Sequence, residues 1–268
     1  MAQFAQIDVF SSTSVGGNAL AVVFDADNLA DEAMQQFAAW TNLSETVFIS
    51  AATEPRADYR VRIFTPAREL PFAGHPTLGS AHAWAETHEL DRDRIVQECG
   101  IGLVEVRRID GRFAFAAPPL VQSGPLDDAT LTEFVVTLGL DADEIIDHAW
   151  TDNGPGWAAA LLADPERVLS ITPGRGSRRM GVVALHSADL LEVRAFVTEH
   201  GYEDTATGSL NAGVAEWLLG CGRMRAPYVA RQGTALGRTG RIHISQHDDG
   251  QIWVGGDTHT VISGTVNL

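Results

Sequence analysis

A pattern of arginine, glutamate, glycine and tryptophan occurs twice along these 268 residues. The first copy is Arg62-Ile63-Phe64, then ELPFAGH from Glu69 to His75, then a helical stretch holding Trp84. The second is Arg194-Ala195-Phe196, then EDTATGS from Glu203 to Ser209, then a helical stretch holding Trp217. In both, the glutamate stands five positions before the glycine and a polar residue follows it. A repeat of this kind specifies a duplicated α/β unit of strand, tight loop and helix. Any fold for this chain must accommodate two such units.

The surrounding pattern fits that frame. QIDVF and ALAVVF read as strands joined by a Ser/Gly-rich loop, and Asp31 to Trp40 reads as an amphipathic helix. NLSETVFIS, YRVRIF, IVQECG, LVEVRRI and RFAFAAP read as further strands. A Pro-rich break, APPLVQSGPLDD, marks the boundary between halves near residues 117–128. LTEFVVTLGL and LNAGVAEWLLG read as helices of the second half, the latter closed by Gly220. VISGTVNL is placed to return to the first domain.

Each repeated loop feeds a helix N-terminus, where free N–H groups and the helix dipole favour an anion. Gly74 and Gly208 let the backbone approach a ligand closely. A small carboxylic acid is the natural ligand of two such loops; ordinary capping by Thr207 or Ser209 is the plainer alternative. Glu45 adds a second anomaly. In a strand it shares a face with Leu43, Val47 and Ile49, where an unpaired carboxylate is costly or gives up its charge. A glutamate in such a setting is suited to taking and returning a proton near neutrality, with His75 as relay and Asp204 as orienting group. The structural alternatives are Glu45 as a capping residue or paired with an arginine such as Arg62, a satisfied loop histidine, and a turn-capping aspartate.

Composition excludes several chemistries. Formal net charge is −16, which repels phosphate backbones and anionic membranes, so neither nucleic acid nor membrane is expected as partner. All 19 basic Lys+Arg residues are arginine, which rules out a lysine Schiff base and a P-loop lysine. Cys99 and Cys221 are too far apart in sequence for a disulfide scaffold or a zinc site. MAQFAQIDVF lacks a signal-peptide pattern and no apolar run is long enough to span a membrane, so a cytoplasmic protein is expected.

NLSETVF, RIFTPARELPFAGHPTLGSA, EDTATGS and GRIHISQ…IWVGG together resemble the phenazine-biosynthesis PhzF-like family, from Ile7 to the C-terminal region. The resemblance implies an α+β (mixed α/β) fold of the diaminopimelate-epimerase type. That fold has two pseudo-symmetric domains, each a curved, mostly antiparallel sheet wrapped round a central helix, with the active site in the cleft between them. The expected domains are residues 1–119, completed by strand 260–268, and residues 120–259. The resemblance further implies a homodimer without cofactor or metal. It puts the catalytic roles on Glu45 as base then acid, His75 and Asp204. Ser44, Gly74, Pro76, Thr77, Thr207, Gly208, Ser209 and Asn18 are expected to bind the substrate. Two departures, Thr205 where the family loop has proline and Ala19 where it has proline after the Asn, touch loop shape and so substrate choice. The matching loops hold no cysteine, which argues against a two-thiol epimerase. The expected activity is isomerisation by proton transfer on a small unsaturated or amino carboxylic acid. The rival readings are a hydrolase, hydratase or cyclase of a secondary-metabolite intermediate, or a non-catalytic dimeric ligand-binding protein.

Overall fold

The computed structural model describes residues 1–89 and 91–268, which form two units. Unit 1 comprises Met1–Ala116 and Gly255–Leu268, and unit 2 comprises Ala117–Val254. In chain order, unit 1 contains β1 (Ala2–Val9), β2 (Asn18–Val23), α1 (Asp31–Thr41), β3 (Glu45–Ser50), β4 (Tyr59–Phe64) and β5 (Glu69–Leu70). It continues with α2 (Gly74–Thr87), β6 (Arg94–Cys99), β7 (Gly102–Ile109) and β8 (Arg112–Ala116). Unit 2 runs through β9 (Gln122–Gly124), α3 (Asp128–Leu138), β10 (Ile145–Asp152), β11 (Trp157–Leu162), α4 (Pro165–Ser170) and β12 (Arg179–Leu185). Then follow β13 (Leu190–Val197), β14 (Tyr202–Asp204), α5 (Gly208–Gly220), β15 (Tyr228–Gln232), β16 (Gly240–Gln246) and β17 (Ile252–Gly256), whose last two residues belong to unit 1. The last strand, β18 (Thr258–Val266), pairs antiparallel with β1.

The duplication read in the sequence extends to strand pairing. In unit 1, β1–β2 is antiparallel, β2–β3 parallel, β3–β4 antiparallel, β4–β6 parallel and β6–β7 antiparallel. Unit 2 repeats the series: β10–β11 antiparallel, β11–β12 parallel, β12–β13 antiparallel, β13–β15 parallel and β15–β16 antiparallel. Each unit inserts one short antiparallel strand, β5 against β4 and β14 against β13, just before its long central helix. This is the mixed α+β, sheet-dominated fold expected from the sequence.

The two central helices are enclosed. α2 is buried from Gly74 to Ala85, with only His82 partly open, and α5 is buried over most of its first half. A helix without a solvent face must be apolar or small all round, and both sequences are rich in Ala, Gly and Leu. Each carries one glycine at its sixth position, where the sheet comes closest. A Cβ on Gly79 would lie 2.5 Å from Leu20 Cδ2, and one on Gly213 would lie 2.1 Å from the Thr151 carbonyl oxygen. The usual penalty of a mid-helix glycine, about 1 kcal/mol, is outweighed by the contact its absent side chain permits. On the outer sheet faces, α1 packs Met34 and Ala38 on Phe48 and Phe64, while α3 packs Phe134 and Leu138 against Met180 and Phe196.

Two details differ from the sequence reading. β3 begins at Glu45, so Leu43 lies outside it, and Thr46 to Ile49 are buried on both faces. Glu45 is the half-buried first residue of a fully buried strand, rather than an intruder on one apolar face. Gly220 is the last helical residue of α5, and the left-handed turn falls at Gly222 (φ 74°). No helix among the described residues is long and apolar enough to cross a membrane.

Gly213→Ala forces the Thr151 backbone to move and is expected to destabilise the protein by about 2 kcal/mol or more. Gly220→Ala, on the same helix with open space around its Cβ, is expected to be neutral or stabilising by up to about 1 kcal/mol. Urea unfolding of the two variants measures both.

Candidate active site

In unit 1 the pairing β2–β3 and the start of α2 bring two titratable groups together. Glu45 opens β3 and His75 is the second residue of α2. Glu45 Oε2 lies 3.4 Å from His75 Nδ1, with side-chain exposures of 17% and 6%. Burial pushes the His75 imidazole down to about 3, so it is neutral across the physiological range. Its Nε2 is buried without a hydrogen-bond partner. An unsatisfied buried ring nitrogen costs about 1–3 kcal/mol, which native structures tolerate chiefly where function uses it. Glu45 does not pair with Arg62, as the structural alternative had it; Arg62 is engaged by Glu69 and Asp31.

The neighbours of this pair are set by the helix start. Gly74 and Pro76 occupy the first turn of α2, where a missing proline N–H costs nothing. Thr77 is fully buried; its hydroxyl donates to the Ala73 carbonyl (2.9 Å) and accepts from Gln97 Nε2 (3.1 Å). Asn18 is buried at the start of β2, and Ser44 is exposed just before β3. The Asn18 loop is shaped by Asp8, whose buried carboxylate accepts from the amides of Gly16 and Gly17.

In unit 2 the corresponding loop is held from several sides. Asp204 ends β14; its Oδ1 accepts from Thr205 N (2.9 Å) and its Oδ2 from the Thr207 hydroxyl (2.6 Å). Thr207 is N-cap of α5 by position, but its hydroxyl makes no cap bond because it is turned to Asp204. Ser209 Oγ accepts from Trp157 Nε1 (3.0 Å) and the Ser209 carbonyl from Asn153 Nδ2 (2.9 Å). The sequence reading missed Trp157, Asn153, Gln97 and Gln232. For Gln232 a signal existed: it is a polar residue on the inward face of an alternating strand, two residues after Ala230, whereas Gln97 follows Ile95 and Val96 in a strand without alternation.

The repeated arginine and glutamate form the same device in each unit. Arg62 Nε and Nη2 donate to the two Glu69 oxygens, each at 2.7 Å. Arg194 does the same to Glu203 at 3.0 and 2.6 Å. Each guanidinium also lies over the phenylalanine two residues on, Phe64 at 5.1 Å and Phe196 at 4.7 Å. The fork thus ties the strand before the loop to the residue that starts it. The unit 2 pair is buried, with side-chain exposures of 6% and 7%, and Arg194 Nη1 also donates to the carbonyls of Val168, Leu169 and Ile171. The unit 1 pair is open, at 23% and 41%. Among the described residues, no three His, Cys, Asp or Glu side chains gather as a metal would require.

Comparison with known proteins places these sites in context. The family profile described as phenazine biosynthesis-like protein matches residues 7–264. The trans-2,3-dihydro-3-hydroxyanthranilate isomerase of Pseudomonas aeruginosa is 32% identical, covering 94% of this chain and 92% of that one. Antisense-enhancing sequence 1 of Schizosaccharomyces pombe is 36% identical over 97% of each chain. Among solved structures, a "predicted epimerase" from Pseudomonas aeruginosa superposes with a TM-score of 0.84 at 26% identity, covering 99% of each chain. A hydroxyproline epimerase from Agrobacterium vitis shares the fold at a TM-score of 0.61 and 13% identity.

Two measurements check the geometry. Arg194→Met strands a buried Glu203 and is expected to cost about 3–5 kcal/mol, whereas Arg62→Met costs about 1 kcal/mol or less, read by denaturant unfolding. The His75 imidazole is expected to keep the chemical shifts of the neutral ring on acidification from pH 7 to about pH 4. A histidine whose folded pKa lies below its unfolded value weakens folding as pH falls through the window between the two.

Proposed function

The chain belongs to the phenazine biosynthesis-like family and is an isomerase, and from that premise we propose that it moves a proton on a small unsaturated or amino carboxylic acid without a cofactor. The observation that carries this reading is the Glu45–His75 pair: a half-buried carboxylate 3.4 Å from an imidazole that burial holds neutral. The Glu45 carboxylate takes a proton from an acidic carbon, and the electron pair shifts along the conjugated system. The same carboxyl group, now protonated, returns the proton at another carbon. The proton count closes on substrate and Glu45 alone. A neutral imidazole offers one donor and one acceptor, so His75 can hold the Glu45 carboxyl in place or relay its proton without adding charge.

In unit 1 the first-turn amides of α2 and Ser44 are proposed carboxylate ligands, with Gly74 allowing close approach; in unit 2 the first-turn amides of α5 and Ser209, with Gly208, are proposed as substrate ligands of the same kind. Asn18, Pro76, Thr77 and Thr207 shape and support the same binding groups. Asp204 is proposed to orient the substrate through its amine or hydroxyl. Thr205 follows β14 next to Asp204 and Ala19 follows Asn18 in β2, so the reading assigns them to substrate choice rather than to the proton step. A cytoplasmic homodimer belongs to the same proposal.

The test is proton NMR in D₂O with trans-2,3-dihydro-3-hydroxyanthranilate and a panel of unsaturated and amino acids. Deuterium is expected to enter one carbon position at unchanged heavy-atom composition. Glu45→Gln is expected to slow this by at least about a hundredfold. A product heavier by one water would replace isomerisation with hydration, and a Glu45→Gln rate near that of the wild type would remove Glu45 from the mechanism.

A further inference from the structure

Gln232, the last residue of β15, is fully buried and uses its amide completely. Its Oε1 accepts from Thr207 N (3.0 Å) and from Asn211 Nδ2 (2.8 Å). Its Nε2 donates to the Asp204 carbonyl (3.0 Å) and to Thr207 Oγ1 (2.8 Å). A main-chain N–H only donates and a carbonyl only accepts, so these partners fix which end of the amide is which. The Thr207 hydroxyl therefore accepts from Gln232, and its own hydrogen goes to Asp204 Oδ2, 2.6 Å away. With Thr205 N on Oδ1, protein donors address both carboxylate oxygens.

Unit 1 holds the matching glutamine, and the difference is informative. Gln97 Nε2 donates to Thr77 Oγ1, but that hydroxyl passes its hydrogen to the Ala73 carbonyl. Gln97 Oε1 accepts from Tyr59 and Ser80. The same amide–hydroxyl relay thus ends on backbone in unit 1 and on a carboxylate in unit 2. We propose that Gln232 and Thr207 are positioning residues that hold Asp204 as an ionised, acceptor-only group facing the ligand, so that it receives a substrate N–H or O–H and does not act as an acid. This rests on the proposed role of Asp204 and deepens it by fixing its proton state. Of the charged neighbours on the packed elements, Glu203 pairs with Arg194, and Arg231 with Glu192 at 3.4 Å. Arg238 packs beside Gly233, next to the Thr205 carbonyl.

The experiment is a carbon NMR titration of protein labelled at aspartate carboxyl carbons, with Asp204→Asn assigning the signal. Asp204 is expected to titrate below the ordinary aspartate value of about 3.9. Thr207→Val removes the donor with little change in shape and is expected to raise the midpoint by about one pH unit, while Thr207→Ser restores it. An Asp204 midpoint that Thr207→Val leaves unmoved in the folded protein overturns the proposal. Turnover of the panel compound into which the wild type introduces deuterium separates this from the reading beneath it. Thr207→Val is expected to lower kcat/KM about tenfold with recovery in Thr207→Ser. Full activity of Asp204→Asn would overturn the catalytic part for Asp204, whatever the titration shows.

Discussion

The close approach of each central helix to its sheet, at Gly79 and Gly213, governs much of what surrounds it. A Cβ at either position would meet side chain or backbone at 2.1–2.5 Å, so the helix can sit where it does only without one. Enclosure then removes the solvent face, and polar groups near the helix start must find partners inside the protein or go unsatisfied, as His75 Nε2 does. Gln97 and Gln232 answer that demand. Each is buried, and each amide reaches the threonine of the helix start, Thr77 or Thr207. What makes the helix starts available for chemistry is therefore the same enclosure that makes them expensive to build.

The paired Arg–Glu forks divide their work unequally. The unit 2 fork is buried and also satisfies three carbonyls around the end of α4, so the loop carrying Asp204 is anchored to two elements at once. The unit 1 fork is open to water and shares its guanidinium with Asp31 on α1. Similar residues at similar spacing thus have different energetic weight, because the dielectric around them differs.

Much of this fold was legible in the sequence. The repeated Arg, Glu and Gly positions, the alternating strands and the two helix starts at Gly74 and Gly208 follow from local periodicity and turn chemistry. Two local rules misled. Alternation put Glu45 on an apolar face, whereas β3 is buried on both faces and Glu45 only opens it. A glycine after a helical run suggested Gly220 as terminator, whereas the positive φ falls at Gly222. The supports of the candidate site were hidden for another reason: they are non-local. Trp157 reaches Ser209 across 52 positions and Asn153 across 56, and neither distance leaves a periodic trace. Glu45 and His75 were legible as residue types, and family motifs joined them. Their 3.4 Å separation depends on how β3 and α2 pack, which no spacing records.

The pairing of β18 with β1 has a consequence for how the chain is made. β1 lies between β2 and β18, and Ala2 stands opposite Val266. During synthesis the whole of unit 2 is made before β18 is. Through that interval β1 presents an open row of N–H and C=O groups to any other strand nearby. The later unit can fold before the earlier one is complete, and the edge of β1 stays open until β18 pairs with it.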